Sequence, residues 1–301
     1  RVIESANALM IPADREIIHV IPQEFIVDGE NGIKDPVGIM GVKLETNVHI
    51  VTGQVTAAQN LVKCIHSSGM DVSDVVLEQI ASSEAVLTED EKEIGAILID
   101  IGGGTTDIAI FSGGSIRYTE NLTLGGDHLD RDVALGLSTP LAESRKLKEK
   151  HGVAITDLVT YEDIVEVESV SGRKPKHVSK RDLAMIIEPR MEEIFSLVKR
   201  EIVKSGYQDL LPAGAVITGG TIKMEGTIEL AEKILGMPVR IGLPSHIGGI
   251  SDIIANPVYS TGVGLVEYGY KFNGDNKIRI RDSNIFGKVF DRMKNWFQEF
   301  F

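Results

Sequence analysis

"LIDIGGGTTDIAI", residues 98–110, decides how this chain is read. A strand-like apolar run ends in Asp100, then Gly102, Gly103 and Gly104 follow. Thr105, Thr106 and Asp107 lead into a second apolar run. Glycine carries no Cβ and tolerates positive φ, so successive backbone N–H groups can converge on an anion. Thr105 and Thr106 add hydroxyl donors. Asp100, at the strand's end, can hold Mg2+ through water, as phosphate-bound magnesium prefers. The plainer alternative is a tight hairpin in which glycine only supplies φ. Two aspartates and two threonines in a strand–turn–strand setting favour a phosphate cradle. A Walker loop would carry Lys followed by Ser or Thr, and a dinucleotide fingerprint would open a helix. A second strand follows here, which excludes both.

The chain has 301 residues, 43% of them hydrophobic, enough for more than one domain. A net charge of −13 argues against a nucleic-acid partner. Cys64 is the sole cysteine, which excludes a disulfide framework and fits a reducing cytosol. No stretch approaches the roughly 20 apolar residues of a spanning helix, and no signal peptide is evident. The chain opens at Arg1 inside a helix-like run, "RVIESANALMI", and reads as the C-terminal part of a longer protein.

Residues 16–53 read as strands between glycine and proline turns. "TAAQNLVKCIHSSG" places Ala58, Leu61, Val62 and Ile65 on one helical face, with Gly69 as its stop. "VSDVVLEQI" reads as a strand and "ASSEAVLTEDE" as a helix. Residues 94–124 read as a three-stranded antiparallel meander. A helical and loop region runs from about 126 to 210. "GAVITGG" is then a strand, "TIKMEGTIELAEKILG" a helix, "MPVRIG" a strand and "TGVGLVEYGY" a final helix. No internal repeat is visible.

The second constellation is "AVITGGTIKMEG", residues 215–226, where Gly219 and Gly220 let a flat base or ribose approach the backbone. Alone it is common. Paired with the hairpin over one hundred residues earlier, it suggests one nucleotide gripped at both ends.

These two motifs resemble the second phosphate loop and the adenosine motif of the actin, sugar-kinase and heat-shock-chaperone superfamily. Within it, "HVIPQEFIVDG", "GIKDPVGIMGVKLE", "ASSEAVLTEDEKEIGAILIDIGGGTTDIAIFSGG", "IIEPRMEEI" and "YSTGVGLVEYG" closely resemble the FtsA family of bacterial division actins, over nearly the whole chain. The resemblance implies an α/β, actin-like, two-lobed ATP-binding fold with an FtsA-type 1C subdomain that mediates head-to-tail polymer contacts. It would place the later part of 1C at 1–54, 1A at 55–94 and 256–271, 2A at 95–139 and 210–255, and 2B at 140–209. A linker would span 272–284 and an amphipathic membrane-targeting helix 285–301.

The resemblance also assigns residues. Gly102–Thr106 would hold phosphates, with Asp100 on the metal, and Gly219, Gly220 and Thr221 would take the adenosine. Gln79 stands where relatives place a Gln or Glu that orients the attacking water. On the helix that clasps the adenosine, the family shows an acidic residue and then Lys three positions on. Here those positions hold Arg145 and Lys148, while Glu143 and Lys146 keep the spacing two residues early. The family's first phosphate loop has no counterpart in these 301 residues, so half of the phosphate grip would lie outside them. ATP with Mg2+ would serve the full-length protein as a structural cofactor with slow or no turnover. The acidic FtsZ tail would dock on 2B, steered by the basic run Arg173, Lys174, Lys176, Lys180 and Arg181. Other divisome proteins would follow, at the cytoplasmic face of the membrane at the septum. The alternatives are a kinase or ATPase of the superfamily, and a pilus-assembly actin homologue of the PilM kind.

The C-terminal segment can be read directly from its residues. Phe286, Val289, Phe290, Met293, Trp296, Phe297, Phe300 and Phe301 fall on one helical face. From Lys277 onward the chain carries a net +3, leaving −16 elsewhere. That polarity suits an anionic membrane surface.

Overall fold

The computed structural model describes residues 2–3, 10–170, 174–245 and 251–274. The reading of residues 1–11 as a helix falls mostly outside them.

A five-stranded sheet organises the chain, in the order β10-β9-β4-β5-β6. It comprises β4 (Ala96–Ile101), β5 (Thr106–Ser112), β6 (Ser115–Leu122), β9 (Ala215–Thr218) and β10 (Val239–Ile241). β4, β5 and β6 form the expected antiparallel meander, while β9 runs parallel to β4 and to β10. All six residues of β4 and all four of β9 are buried, as their unbroken apolar runs require of central strands covered on both faces. Strand alternation then sorts the side chains. Ile97, Ile99, Ile101, Ile108, Ile110 and Ile217 enter the larger core. They pack there against α4 (Gly126–Leu137), α5 (Leu141–His151), α6 (Lys180–Ser205) and α7 (Thr227–Leu235). Leu98, Ala109, Phe111 and Val216 face the opposite way. Over them lie α2 (Glu78–Val86) and α9 (Ser260–Gly274), the latter following the short α8 (Ser251–Ile254).

The second sheet has the order β2-β1-β3 and is antiparallel: β1 (Arg15–Val27), β2 (Glu30–Ile33) and β3 (Leu44–Gln54). It docks against β6, where Gln23 Nε2 donates to the carbonyls of Ile116 (2.9 Å) and Arg117 (3.4 Å).

Four expectations change. Residues 71–77 form no strand, and Glu78–Gln79–Ile80 already belong to α2. Valines 72, 75 and 76 have strand propensity but no neighbouring strand to pair with, and tertiary contact overrides propensity. In α1 (Val55–Ser67), Ala58 is buried but Leu61 stays 62% exposed and Ile65 is also open, so the apolar face is largely uncovered among the described residues. The 126–210 region contains a ribbon, β7 (Ile164–Val167) with β8 (Lys176–Ser179), besides its helices. The alternation of "IVEV", with Val165 and Val167 buried, was its signal. Finally, "TIKMEG" makes a short 3-10 turn, and α7 starts only at Thr227. A small α3 (Glu89–Ile94) precedes β4, held by a capping box between Thr88 and Glu91.

α9 lies so close to α2 that a Cβ on Gly264 would come within 1.7 Å of the Ala81 carbonyl oxygen. Gly264→Ala should therefore cost about 1–3 kcal/mol, as overpacking does. Gly262→Ala on the same helix meets open space and should stabilise by roughly 0.5–1 kcal/mol. Thermal unfolding of the two variants checks this: equal midpoints would mean the helices are not in this contact.

Candidate functional site

Asp100 and Asp107 are register partners across β4 and β5, so both carboxylates emerge on the face covered by α2 and α9. Asp100 is 4% exposed, and its Oδ2 accepts from Ser82 Oγ (2.7 Å) and Thr261 Oγ1 (3.3 Å). Asp107 accepts from Gln79 Nε2 (2.9 Å), Asn121 Nδ2 (2.7 Å) and Thr105 Oγ1 (2.9 Å). Burial pushes both carboxyls above the usual range, and Asp107 adds repulsion at Asp100.

Sequence reasoning missed Glu78. Its side chain reaches solvent, yet its carboxyl is partly desolvated and faces the charges of Asp107 and Asp100, which together push it up to about 7. Thr261 Oγ1 lies 3.5 Å from it. The adjacent Gln79 is buried, and its Oε1 has no partner among the described residues. The cluster thus holds two acceptors and a titratable acid with little positive charge nearby.

The Gly102–Thr105 turn faces two ways. The Gly102 carbonyl accepts from the N–H of Gly126 (2.9 Å) and from Thr221 Oγ1 (2.8 Å), and the Gly103 carbonyl accepts from the N–H of Asp127 (2.7 Å). The carbonyls are thereby committed to the start of α4 and to the second glycine turn. Among the described residues, the N–H groups of Gly103, Gly104 and Thr105 have no acceptor. A Cβ on Gly104 would meet nothing within 4 Å, and one on Gly103 would reach Asp127 Oδ1 at 3.4 Å. An open cradle with three free donors fits a phosphate.

Two expectations about this turn are corrected. None of its three glycines has φ in the left-handed region, so open space rather than backbone freedom is what glycine contributes. Thr106 is fully buried on the opposite face of β5, where its hydroxyl donates to the Leu124 carbonyl (2.8 Å). It is not free for an anion. The glycines that close approach does demand lie elsewhere. A Cβ on Gly125 would stand 2.6 Å from the Gly103 oxygen, and one on Gly126 would stand 2.6 Å from Thr221 Oγ1. The "GG" before a helix was the signal for both. Gly219 combines φ +95° with a Cβ position 2.4 Å from the Ile101 oxygen.

Both candidate pairs of the Leu141–His151 helix have ion-pair partners. Lys148 Nζ donates to the Gly126 carbonyl (2.9 Å) and lies 2.7 Å from Asp130 Oδ1, while Arg145 Nε holds Asp130 Oδ2 at 3.1 Å. Arg145 also reaches Asp127 Oδ1 at 2.9 Å. Glu143 and Lys146 make an i,i+3 pair at 3.1 Å on a different face. Lys148 and Thr221 therefore flank Gly126 at the junction of the two glycine turns.

Comparison with known proteins now decides the family. Residues 97–264 match the model of the cell division protein FtsA, and residues 1–52 match the SHS2 domain inserted in FtsA. The cell division protein FtsA of Pseudomonas aeruginosa is 44% identical over 99% of this chain and 73% of its own length. That of Neisseria meningitidis is 41% identical over 100% and 74%. The chain belongs to the FtsA family. Among solved structures, the PilM–PilN type IV pilus biogenesis complex aligns with TM-score 0.64 at 16% identity, covering 88% of this chain and 70% of that one. MreB5 of Spiroplasma citri bound to ADP aligns with TM-score 0.53 at 17% identity, covering 85% and 90%. These likenesses show the actin-like fold. Identity of 44% against 16% separates FtsA from the pilus-assembly alternative.

In this FtsA-family chain, Thr221 bonds the Gly102 carbonyl, Gly219 packs against Ile101 and Asp100, Lys148 reaches the Gly126 carbonyl, and Gln79 joins Asp107 opposite Asp100, whereas a Cβ on Gly220 would meet only Val258. Of the basic run, Arg173 lies outside the described residues and Lys174 is exposed. Arg181 is engaged with the carbonyls of Thr156 (3.2 Å) and Val159 (3.1 Å) and with the Tyr161 ring. Phe286, Val289, Phe290, Met293, Trp296, Phe297, Phe300 and Phe301 all lie outside the described residues.

Glu78 gives a pH test. A carboxyl whose folded pKa lies above its ordinary 4.5 takes up protons on folding. Its favourable contribution is complete below pH 4.5 and is lost as pH rises through about 7. Glu78→Gln should therefore be more stable than the parent at basic pH, by up to about 1 kcal/mol after solvent screening. The two should converge at acidic pH. Denaturant titrations across this range that run parallel would refute the shift.

Proposed function

We propose that the cleft binds an adenine nucleotide with Mg2+, and that this FtsA-family protein is a polymer-forming adaptor between the FtsZ ring and the cytoplasmic face of the cell membrane at the septum, where it helps recruit other divisome proteins. One observation carries the nucleotide reading: Thr221 Oγ1 bonds the Gly102 carbonyl, joining the two glycine turns across 119 residues of sequence. The three free N–H groups of the first turn would take phosphate oxygens. Gly219 and Gly220 would admit a ribose or base, with Lys148 offsetting charge. Asp100 would hold the metal through water, and the cation would relieve the repulsion among Asp100, Asp107 and Glu78. A neighbour of the same fold, MreB5 of Spiroplasma citri, is seen bound to ADP, which supports the reading.

Gln79 and Glu78 could orient a water and accept its proton, and a group titrating near 7 suits that work. This favours a weak ATPase as the second reading, with nucleotide chiefly structural. Family membership supports polymerisation and the FtsZ partner. The acidic FtsZ tail would meet Lys174 and Lys176 on the β7–β8 ribbon. Residues 285–301 would lie in the membrane interface.

In the full-length protein, Gly103→Val should abolish most ATP binding in calorimetry, because its branched side chain fills the open turn. Loss of one or two charge-assisted bonds predicts at least a tenfold drop. Equal affinity would dismiss the cradle. For the adaptor, the protein should co-sediment with FtsZ filaments and float with anionic liposomes. Trp296→Glu with Phe297→Glu should abolish flotation only. Lys174→Glu with Lys176→Glu, or removal of the FtsZ tail, should abolish co-sedimentation at low salt. FtsZ binding that ignores the tail would refute the docking.

A further inference from the structure

The entry to α2 is held from outside the helix. Leu77 is its N-cap, and no side chain caps it. The Leu77 carbonyl accepts from Ile80 (3.0 Å) and Ala81 (3.1 Å), while its own N–H donates to His19 Nε2 at 3.0 Å. His19 lies on β1, in the three-stranded sheet, 58 residues away in sequence. Both backbone polar groups of Leu77 are therefore held. The next two residues are Glu78, facing Asp107 and Asp100, and Gln79, whose Nε2 donates to Asp107.

The chemistry of this bond is restrictive. A backbone N–H can only donate, so Nε2 must present its lone pair and the proton must sit on Nδ1. Burial of the imidazole favours that neutral form, and the Asp74 carboxylate nearby opposes it. A second histidine of the same sheet, His49, meets Thr119 Oγ1 of β6 at 3.0 Å, and burial shifts it too toward the neutral form. The sheet thus touches the body at two points through neutral histidines, and only the His19 contact leads into the cleft.

We propose that His19 is a positioning residue through which the three-stranded sheet holds the first turn of α2, and with it Glu78 and Gln79, in the cleft. Displacement of the sheet would be transmitted to the carboxylate cluster through this acceptor. The role deepens the nucleotide reading and rests on it only for its consequence, since the hydrogen bond joins two groups of the chain itself.

Hydrogen–deuterium exchange of the nucleotide-free chain tests it with two variants. Gln places a polar terminal group where Nε2 stands, and Phe keeps the ring without an acceptor. His19→Phe should speed exchange of amides 77–81 by roughly tenfold, and His19→Gln should stay within about threefold of the parent. ADP affinity of the full-length protein should fall in His19→Phe and recover in His19→Gln. No acceleration in His19→Phe, or equal acceleration in both variants, would overturn the proposal. If His19→Phe does not fold, the coupling between the Leu77 amide and His19 Nε2 nitrogens across the hydrogen bond, measured by NMR in the parent chain, decides: present supports, absent overturns. A full-length protein that shows the exchange pattern but binds no ADP would leave the positioning role standing and remove the nucleotide reading.

Discussion

Burial of β4 on both faces is the constraint from which the site follows. A central strand with six buried residues needs cover above and below it. Strand period then assigns Ile97, Ile99 and Ile101 to one cover and Leu98 and Asp100 to the other. Asp100 therefore ends in a tight layer between sheet and helices, where α2 contributes small side chains and α9 a glycine. That layer is thin enough for Ser82 and Thr261 to reach the carboxylate from two different helices. The hairpin after β4 opens beyond this layer, which leaves its glycines at the surface.

Carboxylates in and beside the core meet two different fates. Asp130 is fully buried but sits between Arg145 and Lys148, so its charge is compensated inside the protein. Asp100, Asp107 and Glu78 have hydroxyl and amide donors but little positive charge beside them, and all three are pushed upward. Hydrogen bonds stabilise an anion, but they do not cancel the repulsion between neighbouring anions. A divalent cation would, which is why the electrostatics of this cluster support the proposed metal.

The glycines divide in a similar way. Gly126, Gly219 and Gly264 are where another backbone or side chain already occupies the place of a Cβ. Gly104 is where nothing does. The first kind holds the fold together, and the second leaves open space in front of the turn. A string of three glycines in sequence does not reveal which kind it contains, and here the expected left-handed φ proved to be absent.

The sequence by itself determined the meander, the central strand β9, the two glycine turns and the family, because these rest on local periodicity and on contiguous motifs. Tertiary pairing of β4 with β5 then set Asp100 opposite Asp107. Tertiary structure alone decided the rest. It turned "VSDVVLEQI" from a strand into a coil and helix start, since no neighbouring strand was there to pair with it. It selected Arg145 and Lys148 over Glu143 and Lys146, because only the first pair faces Asp130. It buried the Thr106 hydroxyl on the far face of the sheet. It also raised Glu78 beside two aspartates distant in sequence, and tied Leu77 to His19. Each of these depends on which face meets which partner across tens of residues, and local sequence pattern carries no information about that distance.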